Sequence, residues 1–539
     1  MYLAILWAVC PAQSLDHSAS LTESFNLSWS ILGRGSPSAS ITVGFTVRDA
    51  GWFGFGIGEP TSGSMAGADM LIVQVDRVAG RVTLSDRFAD GFVLPSVDNC
   101  ADWSVVTATI DDDEVYVEAT RLLDTGDSQD RVIRLGEPER VLYAWGSSTE
   151  VQYHGSSNRG LDMIDFGGSW VDRIAQLRDD PTVVAIELRN EYTITDRETV
   201  YHTARFDPFD DGLLEPGVTY HIVATEHIVQ EDTLANVHHF VSSLVPGNVS
   251  GGNGREVYPS TFHTWASGSS PMVTPDACGY RLGEDGYSSL EMETHYDNAR
   301  KVNVGTVDRS GIRVYLTKDL RPHDCGVLSL GDPAIMLEYI EPTLPAGLLQ
   351  SEFSCPSWCV PYNVTIFSSF LHMHDVGKRM WTDHVRNGET IGRIDQVDFW
   401  DEGMQSYQAV SVDVQAGDAF RTTCIHNSNG DVRWGIASSD EMCIHFLSYY
   451  PHHADFEYCG LYVCGEQSGN ATLDNDVPAF GVATPGRTCP DATLTFTVPD
   501  GDAPTTDSAE GPFYPLSAAA SQQSTLVPLA ALSVLIRAY

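Results

Sequence analysis

The sequence predicts an all-β protein made of consecutive antiparallel β-sandwiches, the last two jelly-roll-like. Three observations lead there. Short runs rich in β-branched and aromatic residues recur along the whole chain, turn-forming Gly, Pro, Asp and Asn bound them, and long stretches of helical period are scarce. At 539 residues the chain also exceeds one ordinary core, which suggests about three domains.

Taken in order, residues 1–15 open with MYLAILWAVCPAQS, a short apolar stretch followed by small and polar residues. It is too short to span a bilayer and reads as a secretory signal peptide. ASITVGFTV and EVYVEATRL are strand runs of a first sandwich expected at 20–172, with GSWVDRIAQLRDDP as the connector. TYHIVATEHIV and GIRVYLT belong to a second sandwich at 183–342. NVTIFSSFLHMH and DATLTFTV belong to a third at 347–495, set off by the Pro-containing EPTLPAG. Residues 496–539 turn small, polar and acidic and read as a disordered tail. Its end, SAAASQQSTLVPLAALSVLIRAY, has the layout of a glycolipid-anchor signal, with a frayed tail as the plain alternative.

Charge narrows the partners. With 73 Asp and Glu against 31 Lys and Arg, the net charge is −42, so phosphate backbones are repelled and nucleic acid is excluded as a partner. A cationic small molecule such as an amine suits such a surface, although the same charge also serves plain solubility. Of eleven cysteines, loss of Cys10 with the leader leaves ten, an even number suited to disulfides in an oxidising compartment. Asn-x-Ser/Thr sequons at Asn26, Asn248, Asn363 and Asn470 agree with glycosylation on a secretory route.

Four stretches carry candidate chemistry. Imidazole serves copper in both oxidation states, and a thioether supports the reduced one. In NVTIFSSFLHMHDVGKRM, His372 and His374 are two apart, so on a strand both leave the same face as Val364, Ile366, Ser368 and Phe370. In TLANVHHFVSSL, the adjacent His238 and His239 point to opposite faces of a regular strand, so joint ligation requires a bulge, twist or strand end. In EMETHYDN, His295 shares an alternating face with Glu291 and Glu293. In SSDEMCIHF, Met442 stands beside Cys443, where a buried Met is ordinarily core filler. The pair His452 and His453 in SYYPHHADF reads as a solvent-exposed turn after Pro451. Singly each signal is weak.

Together they resemble a family. GWFGFGIG, GADMLIVQVD, NVHHF, LEMETHYDN, SGIRVYLT, FLHMHDVGKRM, TTCIHN and EMCIHFLSYYP, in this order over most of residues 40–465, resemble the ascorbate-dependent type II copper monooxygenases of the dopamine β-hydroxylase group. The resemblance implies two coppers per chain. His238, His239 and His295 match the electron-transfer site; His372, His374 and Met442 match the site that meets O₂ and substrate and so carries catalysis. It further implies that ascorbate supplies the electrons and that a substrate carbon is hydroxylated, with the β-carbon of a phenylethylamine-type amine as the best-fitting target. Peptides ending in glycine fit less well.

The first sandwich resembles a DOMON module, so 183–342 and 347–495 become the first and second copper domains. Its GFGIG lacks the spacing and the following helix of a dinucleotide fingerprint. Some relatives of the module bind haem through Met and His, and Met65 with His154 stand in suggestive places, against the habit of the hydroxylase branch. Asp69 and Asp98 resemble a small cation site, with turn capping as the simpler reading.

The resemblance implies the bridges Cys424–Cys443, Cys355–Cys459 and Cys359–Cys489. The first copper domain departs from the pattern, with Thr203 where the family has a cysteine, and Cys278–Cys325 is expected instead. Cys100 and Cys464 are left over, with a bridge between domains as one option. Competing readings are a non-catalytic secreted copper-binding or adhesion protein and a zinc hydrolase. The latter lacks His-Glu-x-x-His and a nucleophile elbow. Oligomeric state and membrane attachment through the C-terminus stay open.

Overall fold

A computed structural model describes residues 15–498, apart from 156–157, 169–172, 247–259, 267–268, 284–285, 332–342, 436–438, 461–463 and 473–492. The leader, Asn248 and the anchor-like end lie outside the described residues. The described chain is all-β with one short α-helix, Arg173–Asp179, in the expected connector. Ile174 seats that helix against Val223, Ala224 and Tyr315. No helix among the described residues is long and apolar enough to cross a membrane.

The first sandwich places the sheet His17–Ser20, Phe25–Leu32, Ser40–Arg48, Glu114–Leu122, Ser104–Ile110 over a second one. The latter runs Arg159–Ile164, Glu139–Gly146, Trp52–Ile57, Asp69–Asp76, Arg81–Phe88, Thr493–Thr497. Alternation in Phe25–Leu32 sends Phe25, Leu27 and Trp29 into the core, where they meet Phe45, Phe53 and Phe55 from the facing strands. The last strand of the second sheet corrects the expected layout. Thr493–Thr497 pairs antiparallel with Arg81–Phe88, so the end of the stretch expected for the third sandwich returns to the first.

The second sandwich encloses Tyr220, Phe240, Tyr280, Leu290 and Met292 between two sheets. One is the four-stranded Thr199–Phe206, Tyr287–Asp297, Val237–Pro246, Ser260–Ala266; the other centres on Gly311–Thr317 and Tyr220–Ile228. The third pairs Gln408–Val414, Val364–His372, Ile444–Tyr450, Gly326–Gly331 and Tyr458–Gly460. Its other sheet runs Glu389–Val397, Gly377–Arg386, Ala419–Ser428, Gly347–Cys355 and Glu466–Thr472. Gly326–Gly331, within the stretch expected for the second sandwich, hydrogen-bonds to Ile444–Tyr450 and thus belongs to the third.

Cys278–Cys325, Cys355–Cys459 and Cys424–Cys443 are bridged. Cys359 pairs with Cys464, with Cα atoms 5.7 Å apart, which replaces the expected Cys359–Cys489 and removes Cys464 from the leftovers. The cause is local. Strand Tyr458–Gly460 carries Cys459 to Cys355, and Cys464, five residues on from Cys459, pairs with Cys359, four residues on from Cys355. Cys100 is also disulfide-bonded.

Candidate metal centre

His239 and His295 are cross-strand partners on Val237–Pro246 and Tyr287–Asp297. Strand alternation alone would separate His238 from His239, but the register slips between Val237 and His239, and this irregularity turns both rings toward one point. One ligand nitrogen from each of His238, His239 and His295 lies within 4.8 Å of the others. Tyr201 stacks on His295 at 4.5 Å and holds its plane. Burial, with help from the neighbouring imidazoles, lowers all three basicities, His295 to about 3. The rings are therefore neutral near pH 7, the form that offers a lone pair to a metal.

The second set comes from the third sandwich. His372 ends strand Val364–His372, while His374 lies just past it, so the two do not share a strand face as the spacing suggested. A register slip between Ile366 and Ser368 also interrupts the expected alternation. The chain turns at the strand end, and the two rings stand 5.1 Å apart at 86°. Burial and His374 lower the basicity of His372 to about 3.

Gln405 fixes which nitrogen of His372 carries the proton. Its Nε2 donates to the Glu402 carbonyl at 2.8 Å, which can only accept, so its Oε1 faces His372 Nδ1 at 2.8 Å. Nδ1 must then donate, and Nε2 keeps its lone pair.

Glu441, fully buried, organises the remaining ligands. Its Oε1 accepts from the backbone N–H of both His374, at 2.6 Å, and Met442, at 2.7 Å, and its Oε2 accepts from Val376 N–H at 3.2 Å. His374 Nδ1 faces the Asp440 carbonyl at 3.1 Å. Met442, 8% exposed, packs with Leu371, Met373 and Cys443, and the bridge to Cys424 anchors the residue after it. Sequence reasoning missed Glu441, Gln405 and Glu402. The signal for the first was its place directly before Met442; the other two are ordinary polar loop residues in sequence.

The two sets face one another. His239 and His372 have ring centroids 6.3 Å apart, and Glu402 Oε1 lies 3.5 Å from His238 Nε2. Burial and a hydrogen-bonded Asp375 push the Glu402 carboxyl up to about 10. Three imidazoles in one set, and two imidazoles with a thioether one residue from a shared anchor in the other, are donors that suit copper in both oxidation states.

Other expected residues lie elsewhere. His452 and His453 are half-buried rather than exposed: His452 Nε2 is 3.2 Å from Glu457 and His453 stacks on Tyr362 at 3.6 Å. Met65 packs against Ala68, Met70 and Leu161, whereas His154 bonds the Gly155 carbonyl through Nδ1. Asp69 is bridged to Arg121 at 2.7 Å, and its cluster with Asp86 and Asp130 is shared with that guanidinium. Asp98 accepts from Cys100 N–H, a turn-capping contact. Asn26 lies on a strand, Asn470 on another, and Asn363 beside Val364 accepts from Ala416 N–H.

Comparison with known proteins follows this geometry. Residues 323–470 match the model for the copper type II ascorbate-dependent monooxygenase C-terminal domain, and residues 21–146 match the DOMON domain. DBH-like monooxygenase protein 1 of Homo sapiens is 27% identical over 497 residues, covering 83% of this chain and 76% of that protein. Tyramine beta-hydroxylase of Caenorhabditis briggsae is 28% identical over 321 residues, covering 56% and 53%. Dopamine beta-hydroxylase of Bos taurus is 25% identical over 498 residues, covering 85% and 77%.

Proposed function

Because this chain belongs to the copper type II, ascorbate-dependent monooxygenases with an N-terminal DOMON domain, we propose that it hydroxylates the β-carbon of a phenylethylamine-type amine. In this reading the chain divides into the DOMON sandwich and two copper domains. His238, His239 and His295 hold one copper, while His372, His374 and Met442 hold the other. When bound, copper supplies the one-electron steps that let ascorbate and O₂ hydroxylate a carbon, which no amino-acid side chain offers.

The protein's own part is orientation and exclusion. Gln405 keeps His372 in the tautomer that presents Nε2. Glu441 ties the backbones of His374 and Met442 to one carboxylate oxygen, so two ligands of one set move together. The burial of His295 and His372 keeps these rings from bulk water. The observation that carries the reading is the convergence of both donor sets, with His239 and His372 only 6.3 Å apart.

An amine is supported by the net charge of −42. Four bridged cysteine pairs support an oxidising, secretory destination, vesicular or extracellular.

The test supplies copper, ascorbate and isotopically labelled O₂ with a panel of phenylethylamines and catecholamines, and reads product by mass. One labelled oxygen on the β-carbon is expected. Copper uptake with no oxygen consumption across the panel would instead favour a binding or adhesion protein.

A further inference from the structure

One loop touches all three sandwiches. Residues 398–407 connect strand Glu389–Val397 to strand Gln408–Val414. The DOMON sandwich grips one side. Asp398 N–H donates to the Thr61 carbonyl at 2.7 Å, and Arg159 reaches Asp401 Oδ2 at 3.2 Å and the Gly403 carbonyl at 2.7 Å. Met404, 8% exposed, fills a socket of Met70, Ala89, Leu142 and Leu161. Approach is close even at the loop's start: a Cβ on Gly63 would fall 2.8 Å from the Phe399 carbonyl oxygen.

The other side faces the histidines. Gln405 sets the His372 tautomer, Glu402 lies 3.5 Å from His238, and the Gln405 carbonyl accepts from Ser269 Oγ. The sides interleave: 401, 403 and 404 are held by the DOMON domain, while 402 and 405 meet the two donor sets. A tight turn, with Gly403 N–H on Asp401 Oδ1 at 2.9 Å and Met404 N–H on the Asp401 carbonyl at 3.0 Å, transmits a shift of one group to the other.

We propose that the DOMON domain is a positioning device for the reaction: Arg159 and the Met404 socket set the 398–407 loop, and through Gln405 and Glu402 the loop sets His372 and His238. Arg159 is thus a positioning residue, more than 200 positions from the ligand it orients. The inference rests on the reading of the two histidine sets as copper sites.

The test uses the full chain with Arg159→Ala, Arg159→Lys, Met404→Ala and the charge swap Arg159→Asp with Asp401→Arg. In the metal-free protein, hydrogen exchange in 398–407 is expected to rise in Arg159→Ala and Met404→Ala while the sandwich strands keep their protection. In the reduced, copper-loaded protein, the C–O stretch of bound carbon monoxide is expected to shift or broaden. Copper affinity or kcat should fall roughly 10–100-fold, the usual cost of losing an outer partner of a ligand, with KM little changed. Arg159→Lys and the swap should recover part of each effect.

Unchanged exchange in the loop overturns the proposal, as does exchange that rises equally throughout the chain. A normal carbon monoxide band in a variant with a loosened loop overturns it too. A chain that takes up no copper would sink the functional reading, while exchange in the metal-free protein still reports on the grip.

Discussion

The rings of His239 and His372, which come from different sandwiches and different donor sets, meet edge to face with centroids 6.3 Å apart at 79°. Two copper ions held by these sets would sense each other. Loaded with Cu(II), the protein is expected to give an electron paramagnetic resonance spectrum broadened relative to His372→Ala, which keeps only the first set. A spectrum equal to the sum of the two half-site variants would contradict this proximity of the two sets.

Met442 offers a second test. A thioether favours Cu(I), and imidazole does not share that preference, so Met442→His should retain metal while losing the reduced-state bias. Copper content by metal analysis is expected to stay near that of the parent. Turnover should fall by at least roughly the 10–100-fold that outer partners cost. Near-normal turnover would remove Met442 from the oxygen-meeting role.

How much of this was legible depends on what each residue needed. The strands were readable because Phe25, Leu27 and Trp29, or Val43, Phe45 and Val47, alternate toward a core. The six proposed donors stood out in the sequence as an ordered set of motifs. Part of their geometry was legible too: strict alternation separates His238 from His239 and so demands an irregularity, which the slip after Val237 supplies. His374 lies beyond the strand end, whereas the two-residue spacing put it on the strand face. Gln405 and Arg159 owe their roles to contacts across tens to hundreds of residues, which no local pattern encodes. Cys359 takes Cys464 in place of the expected Cys489, and Cys464 stands five residues from Cys459, itself bridged to Cys355. Gly326–Gly331 and Thr493–Thr497 joined sheets outside their expected domains because pairing partners follow topology rather than sequence distance.

Glu441 predicts a selective metal defect. Burial alone would raise its carboxyl, but His426 and the backbone N–H of His374 stabilise the anion and bring it below the usual range. Glu441→Gln replaces one accepting oxygen by a donor that faces backbone N–H groups. The loss should be on the order of 1–3 kcal/mol of stability for the groups left unsatisfied. Copper content should drop from about two per chain toward about one, with the His238, His239 and His295 set still loaded. Retention of both coppers with unchanged melting temperature would show that the shared anchor is dispensable.

Asp418 predicts an acid-dependent stability term far from the histidines. This carboxylate, 1% exposed, accepts from His384 Nε2 at 2.7 Å, from Arg386 through both oxygens at 2.7 Å, and from Gln415 N–H at 2.8 Å. Burial works to raise its pKa, but Arg386, Gln415 and His384 together outweigh it and depress the group from 3.8 to about 2. A carboxylate whose folded value is depressed contributes stability that is complete above the unfolded value and fades as pH falls through the folded one. Asp418→Asn leaves Arg386 and His384 beside a neutral amide and is expected to lower stability at neutral pH. The gap in urea midpoint between parent and variant is therefore expected to hold down to about pH 4 and to close toward about pH 2. A gap that stays constant across that window would mean that packing, and not the ionised carboxylate, holds this corner of the third sandwich.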